Sequence, residues 1–206
     1  MEVSKYILVH FTRNNGLETG ASITVNRRKI MPSDEAKYLG VMFDRGLRFG
    51  SHLQLLVKRG TKAAMALAGI AKSSWGAPYR YVRQLFLAVI APSTDYGAIV
   101  WHRPKHDRST ATTAQMRKLT TIQRLAMKAI LGCYRTTPTA AMEMESGLEP
   151  AWIRLQTKVR LAVTRMQSLS AAHPVQDHLA SALRTRTLNV THRSNFENIL
   201  DPWVSQ

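Results

Sequence analysis

The period of the apolar residues changes at Asp44, and that change limits the chain to a small extended region followed by a long helical one. Before it, Ile7, Val9 and Phe11 fall two apart, Ile23 and Val25 lead through Asn26-Arg27-Arg28-Lys29 to Ile30, and Tyr38 to Phe43 form a third stretch. Asn14-Asn15-Gly16 and Pro32-Ser33-Asp34 separate these runs with residues suited to turns. After it, Leu53, Leu56, Val57, Ala64, Leu67 and Ala68 recur at helical spacing. Strands first and helices afterwards, without interleaving, predict an α+β fold, and 206 residues at 45% hydrophobic content can bury a sizeable core.

The helical part is punctuated by proline and glycine. Ser51 stands as a candidate N-cap of the first helix, Gly60 interrupts its pattern and Lys72-Ser73-Ser74 ends it. Pro78 opens a second helix through Val82, Leu85, Phe86, Val89 and Ile90, which Pro92 is expected to kink or stop. A third spans about Thr113 to Leu131, with Met116, Leu119, Ile122, Leu125 and Ala126 on one face and Gly132 as its stop. Thr137-Pro138 opens a short helix closed by Gly147. Pro150 begins another carrying Trp152, Ile153, Leu155, Val159, Leu161, Ala162 and Met166. Trp101, Trp152 and Cys133 read as core residues. His173-Pro174 precedes a weaker helix through Leu179 and Leu183, and beyond Arg186 the pattern fades into a linker or tail.

Charge narrows the partners. The net charge is +16, and between Arg45 and Met142 sixteen Lys/Arg face only Asp95 and Asp107, which places +14 of the total in that stretch. A field of this sign concentrates polyanions and speeds their arrival, so RNA or DNA is the expected partner. A solvated helical surface is the bland alternative, although such surfaces normally mix both signs.

Other classes find little support. The lone Cys133 excludes an internal disulfide framework and a cysteine-rich zinc site, and it fits a reducing compartment, nuclear or cytoplasmic. No apolar run approaches a membrane-spanning length, and the N-terminus lacks the layout of a signal peptide. His102 and His106 have the spacing of a helical metal pair, but Pro104 lies between them and no third ligand is evident. No two aspartates are adjacent; Asp34-Glu35 is the only Asp/Glu neighbour pair, and it sits in a Pro/Ser turn where carboxylates usually make local hydrogen bonds.

Several short motifs occur in a telling order: Lys5 to Arg13, Ile23 to Ile30, Ala36-Lys37-Tyr38-Leu39-Gly40-Val41 and Leu47-Arg48-Phe49. They are followed by Val89-Ile90-Ala91-Pro92, Tyr96-Gly97-Ala98-Ile99-Val100-Trp101, Ile122-Gln123-Arg124, Tyr134-Arg135-Thr136-Thr137-Pro138 and Ala140-Ala141-Met142 to Glu149-Pro150. This order resembles the primer-grip, thumb and post-thumb regions of reverse transcriptases of non-LTR retrotransposons, over about Lys5 to Leu169. The endonuclease, fingers, first catalytic Asp and aromatic-x-Asp-Asp motif of that family would all lie before Met1, as expected of an internal start or a partial clone.

The resemblance implies a palm remnant with a primer-grip-like hairpin over 1–44, a helical thumb over 45–110, a helical connection region over 111–186 and a linker or tail over 187–206. It implies that Tyr38, Leu39 and Gly40 support a primer end, and that thumb residues Arg48, Lys58, Arg59 and Lys62 contact phosphates of an RNA/DNA hybrid. The two divalent metal ions of the intact family enzyme would be held outside this chain, so no cofactor is expected here and no catalytic residue is assigned. The expected function is that of a truncated RNA-directed DNA polymerase retaining primer and template contacts. A non-catalytic nucleic-acid-binding module, a helical protein that binds an acidic partner, and a remnant with no selected function remain the alternatives.

Overall fold

The structure is a computed structural model and describes residues 6–12, 20–72, 76–102 and 110–178. The chain divides into two compact units, Met1–Lys58 and Arg59–Gln206. The expected turn at Asn14-Asn15-Gly16, His106, the part of the weaker helix that carries Leu179 and Leu183, and the 187–206 tail fall outside the described residues.

The first unit is built from two antiparallel hairpins. Strand β1 (Ile23–Val25) pairs with β2 (Arg28–Ile30), and β3 (Glu35–Tyr38) pairs with β4 (Val41–Asp44). Each hairpin closes through two residues with positive φ: Asn26 and Arg27 at 48° and 61°, Leu39 and Gly40 at 45° and 83°. Two left-handed residues in a row match the natural twist of paired strands, so these turns fix the registers Val25↔Arg28 and Tyr38↔Val41. The stretch Ile7 to Phe11 does not extend into a strand of its own. It makes one parallel bridge, Leu8 to Pro32, and the Ser33 amide donates to the Leu8 carbonyl at 2.8 Å. Pro32 has no amide to extend a ladder, which is a sufficient reason for the pairing to stop there.

Between β4 and the first helix the backbone is bent hard. Leu47 and Phe49 have φ of 50° and 58°, a region costly for side chains of that size. The Asp44 carboxylate offsets the cost by accepting the Arg48 amide at 3.0 Å and the Phe49 amide at 2.6 Å. Phe49 is buried, and its ring meets Phe43 edge-on at 5.7 Å. Helix α1 (Gly50–Ile70) follows. Its first intrahelical bond runs from the Leu53 amide to the Phe49 carbonyl, so Phe49 and not Ser51 stands at the cap position. Ser51 lies inside the helix and gives its hydroxyl to the Glu35 carboxylate.

The second unit is helical: the rest of α1, α2 (Tyr79–Leu85), α3 (Ala91–Thr94), α4 (Ala98–Trp101), α5 (Thr110–Leu131), α6 (Thr139–Ser146) and α7 (Ala151–Gln167). Its core joins Val82, Phe86 and Ile90 to Leu119, Ile122, Ala126 and Met127 of α5, Met142 of α6, and Leu155, Val159 and Val163 of α7. The expected stops hold. Gly132 and Gly147 take left-handed φ of 61° and 58° after α5 and α6, while Pro138 and Pro150 cap α6 and α7.

Pro92 behaves differently from expectation. The helix does not stop at Pro92; it widens into a π-helical segment, Phe86–Ile90, where the Ala91 amide reaches back to the Phe86 carbonyl, and resumes as α3, which ends at Thr94. A proline deprives the preceding turn of a donor. The carbonyl that loses its donor is that of Ala88, four residues back; the Ser93 and Thr94 hydroxyls donate to a different carbonyl, that of Ile90, at 2.8 and 3.1 Å. Gly60, the weak point of the α1 pattern, also has a packing reason. A Cβ there would lie 2.8 Å from Thr94 Cγ2 and 3.0 Å from Ile122 Cδ1, so glycine is what lets α1 approach α5.

Two core assignments change. Trp101 is buried, but Trp152 is 37% exposed, because α7 turns Ala151, Leu155, Val159 and Val163 inward at a strict four-residue step that leaves position 152 at the edge. Leu161 is likewise exposed. Cys133 is half-buried, since Gly132 ends the helix before the stripe can reach it.

Candidate nucleic-acid interface

The predicted contact residues fall into three places. Tyr38, Leu39 and Gly40 share the β3–β4 turn, where Tyr38 is 66% and Leu39 74% exposed. Gly40 at φ 83° needs no side chain, whereas Leu39 at 45° holds a large apolar side chain outward on a left-handed backbone. Interior packing does not account for that choice of residue.

Arg48 occupies the bent segment after β4. Its amide is fixed by Asp44, and its exposed side chain folds over Gly46, with Nε 3.4 Å from where a Cβ would stand. Lys58, Arg59 and Lys62 lie on α1, all exposed, on the side opposite the buried Leu53, Leu56, Gly60, Ala64 and Leu67. No acidic residue occurs anywhere in α1. Among the described residues, no ion pair engages these three cations, so their charge is available to an outside anion.

Several other cations counted in the basic stretch are committed inside the fold. Arg83 donates from Nε to the Ser146 carbonyl at 2.7 Å and from Nη2 to that of Gly147 at 2.9 Å, closing the C-terminal end of α6 with help from the Tyr79 hydroxyl. Arg124 donates from Nη2 to the carbonyls of Arg135 and Thr137 and bonds the Thr139 hydroxyl, which pins the turn between α5 and α6. Arg45 faces Asp34 at 3.6 Å.

The strongest arrangement of charge is one that the sequence pattern did not reveal. Asp95, with its side chain 1% exposed, accepts Arg154 Nε at 2.7 Å, Arg154 Nη2 at 3.2 Å and Lys158 Nζ at 2.7 Å. Arg154 Nη1 continues to the Gln123 carbonyl oxygen at 2.7 Å, and the Gln123 amide donates to the Glu149 carbonyl at 2.8 Å. The network fastens the α3–α4 junction, α5 and α7 together. One signal was present: Asp95 is one of only two acids in the +14 stretch, and a buried acid in such a field needs dedicated partners. Nearby, the buried imidazole of His102 has its pKa lowered to about 4 by loss of hydration, against the opposing pull of Asp95.

Among the described residues no three His, Cys, Asp or Glu converge to hold an ion. The Asp34-Glu35 pair is divided, Asp34 toward Arg45 and Glu35 toward Ser51, so it does not fit a pair of divalent cations. No helix among the described residues is long and apolar enough to cross a membrane.

These features define a basic α+β protein whose outward cations differ from its internally bonded ones. Its relatives say more. The chain is 31% identical over 124 residues to the "Retrovirus-related Pol polyprotein from type-1 retrotransposable element R1 3" of Nasonia vitripennis, covering 60% of this chain and 32% of that protein. It is 32% identical over 114 residues to the "Putative 115 kDa protein in type-1 retrotransposable element R1DM" of Drosophila melanogaster, covering 55% of this chain and 11% of the relative. It is 27% identical over 99 residues to the "Probable RNA-directed DNA polymerase from transposon BS" of the same fly, covering 48% and 10%. The chain thus spans a third or less of these curated relatives. No family model matches, and no solved structure matches.

Proposed function

We propose that this chain is the primer- and template-contacting portion of a non-LTR retrotransposon RNA-directed DNA polymerase, corresponding to a palm remnant, thumb and connection region, and that it does not carry the catalytic carboxylates. The observation that carries this reading is the exposed, acid-free face of α1 with Lys58, Arg59 and Lys62. Similarity to Pol and RNA-directed DNA polymerase relatives supplies the context.

In this reading the α1 cations meet phosphates of an RNA/DNA hybrid, which positions the duplex without reading its sequence. Arg48 adds a further cation beyond β4. Tyr38 and Leu39 contact the primer end while Gly40 lets backbone approach it closely. The two metal ions belong to residues outside this chain. Nucleotidyl transfer, which requires carboxylates to hold paired cations against the attacking and leaving oxygens, is not assigned to it.

The test is binding of the purified chain to a hybrid with a recessed primer, alongside a primer-extension assay. Salt-sensitive binding without nucleotide incorporation is expected. Template-dependent incorporation would overturn the non-catalytic assignment, and failure to bind the hybrid would overturn the contact assignment.

A further inference from the structure

A second face of the molecule carries cations without being needed for the hybrid contacts. On α5, residues 117, 121, 124 and 128 follow at steps of four, three and four, which aligns them along one side of the helix, with 118 beside them. Arg117, Lys118 and Thr121 are exposed and Lys128 is half-exposed, whereas Leu119, Ile122, Gln123, Ala126, Met127 and Ile130 are buried on the opposite side. From Arg117 to Lys128 the stripe runs roughly 16 Å at 1.5 Å per residue. The helix holds no acid along its length.

Arg124, in the middle of this stripe, is turned to another use. Its guanidinium fixes the carbonyls of Arg135 at 3.1 Å and Thr137 at 2.8 Å, and the Thr137 amide closes the turn on the Tyr134 carbonyl at 3.2 Å. The result is a rigid turn just past the end of α5 that displays Tyr134, 86% exposed, beside an exposed Arg135. An aromatic ring held out of the core on a fixed backbone is a stacking platform whose conformational entropy is already partly spent. Cations in a row ending at such a ring are the elements that single-stranded nucleic acids use: phosphates against the charges and an unpaired base on the ring. A duplex keeps its base faces covered and cannot use the second element.

We propose that the solvent face of α5 and the Tyr134-Arg135 turn form a track for single-stranded nucleic acid, with phosphates against Arg117, Lys118, Lys128 and Arg135 and one unpaired base stacked on Tyr134. The track shares no residue with the hybrid contacts of α1 and the β3–β4 turn, and it stands whether or not those contacts hold.

The experiment measures binding of the full chain to a labelled oligouridylate and to a blunt RNA/DNA hybrid of equal length, at several salt concentrations. Tyr134→Ala should weaken binding of the single strand by roughly 5- to 140-fold, the range for loss of one base–aromatic stack, while the hybrid changes less than about twofold. Tyr134→Trp should retain single-strand binding. The Arg117→Ala, Lys118→Ala pair should lower the single-strand salt slope by roughly 1.4. Unchanged single-strand binding by Tyr134→Ala, an equal loss for both nucleic acids, or no single-strand binding by the unaltered chain would overturn the track; the last result would point instead to an acidic protein on this face. Loss of hybrid binding by the Lys58→Ala, Arg59→Ala, Lys62→Ala variant, with single-strand binding intact, would show the two surfaces to be separate.

Discussion

The Asp95 centre and the β3–β4 turn treat unusual residues in opposite ways. At Asp95 a buried carboxylate is matched by Arg154 and Lys158, and the matching group continues to Gln123 and Glu149. At the turn, Leu39 is 74% exposed on a left-handed backbone beside a 66% exposed Tyr38. The first has its partners inside the molecule, and the second holds large apolar side chains outward. Charge and strain therefore have to be sorted by where their partners are before either is read as function. By that criterion Arg83, Arg124 and Arg154 belong to the fold, whereas Lys58, Arg59 and Lys62 are exposed and have no ion-pair partner among the described residues.

The largest effect is expected at the buried carboxylate. Asp95→Ala leaves the Arg154 guanidinium in the interior without its carboxylate, and should cost about 3–5 kcal/mol of unfolding free energy in urea titrations. A loss below about 1 kcal/mol would mean that the network is dispensable. His102, close by, sharpens the same point through pH. Its folded pKa near 4 lies below its ordinary 6.5, so the unfolded chain binds the extra proton first. Stability should be full above pH 6.5, fall as pH drops from 6.5 toward 4, and level off below, by about 3 kcal/mol in all. His102→Gln should flatten that window, and an unaltered pH profile would exclude His102 as its source.

Smaller effects are expected where backbone or packing alone is at issue. Gly60→Ala gains up to about 1 kcal/mol of helix propensity but drives a methyl against Thr94 and Ile122, so a net loss of about 1–2 kcal/mol should appear in thermal unfolding. A stabilised variant would show that α1 and α5 have room to separate. Leu39→Asn, better suited to φ 45°, should raise stability by about 0.5–1 kcal/mol while weakening hybrid binding. A gain in stability with binding unchanged would remove Leu39 from the interface.

Much of the helical layout was legible because proline and glycine mark it: Pro138, Gly147 and Pro150 bound α6 and open α7, and Gly132 ends α5. The apolar pattern ran through the β3–β4 turn as one stretch, Tyr38 to Phe43, which the structure divides at Leu39-Gly40; only the family resemblance pointed to a hairpin there, and nothing pointed to the left-handed backbone of Leu39. The π-helical segment was not legible, since one extra residue per turn over Phe86–Ile90 barely disturbs the apolar period. Nor could charge counting separate inward from outward cations. Arg83 and Arg124 look like footprint residues in the sequence, yet their guanidinium groups serve carbonyls. That distinction depends on long-range contacts that no local pattern encodes.

Contact of the α1 face with phosphates is the proposal on which the other assignments rest. Its most direct test is the slope of log Kobs against log salt for an RNA/DNA hybrid, compared between the unaltered chain and the Lys58→Ala, Arg59→Ala, Lys62→Ala variant. Three phosphate contacts in a duplex predict a slope shallower by roughly 2.7, from about 0.9 per neutralised phosphate. An unchanged slope would contradict the account and leave these three lysine and arginine side chains as a solvated helix face.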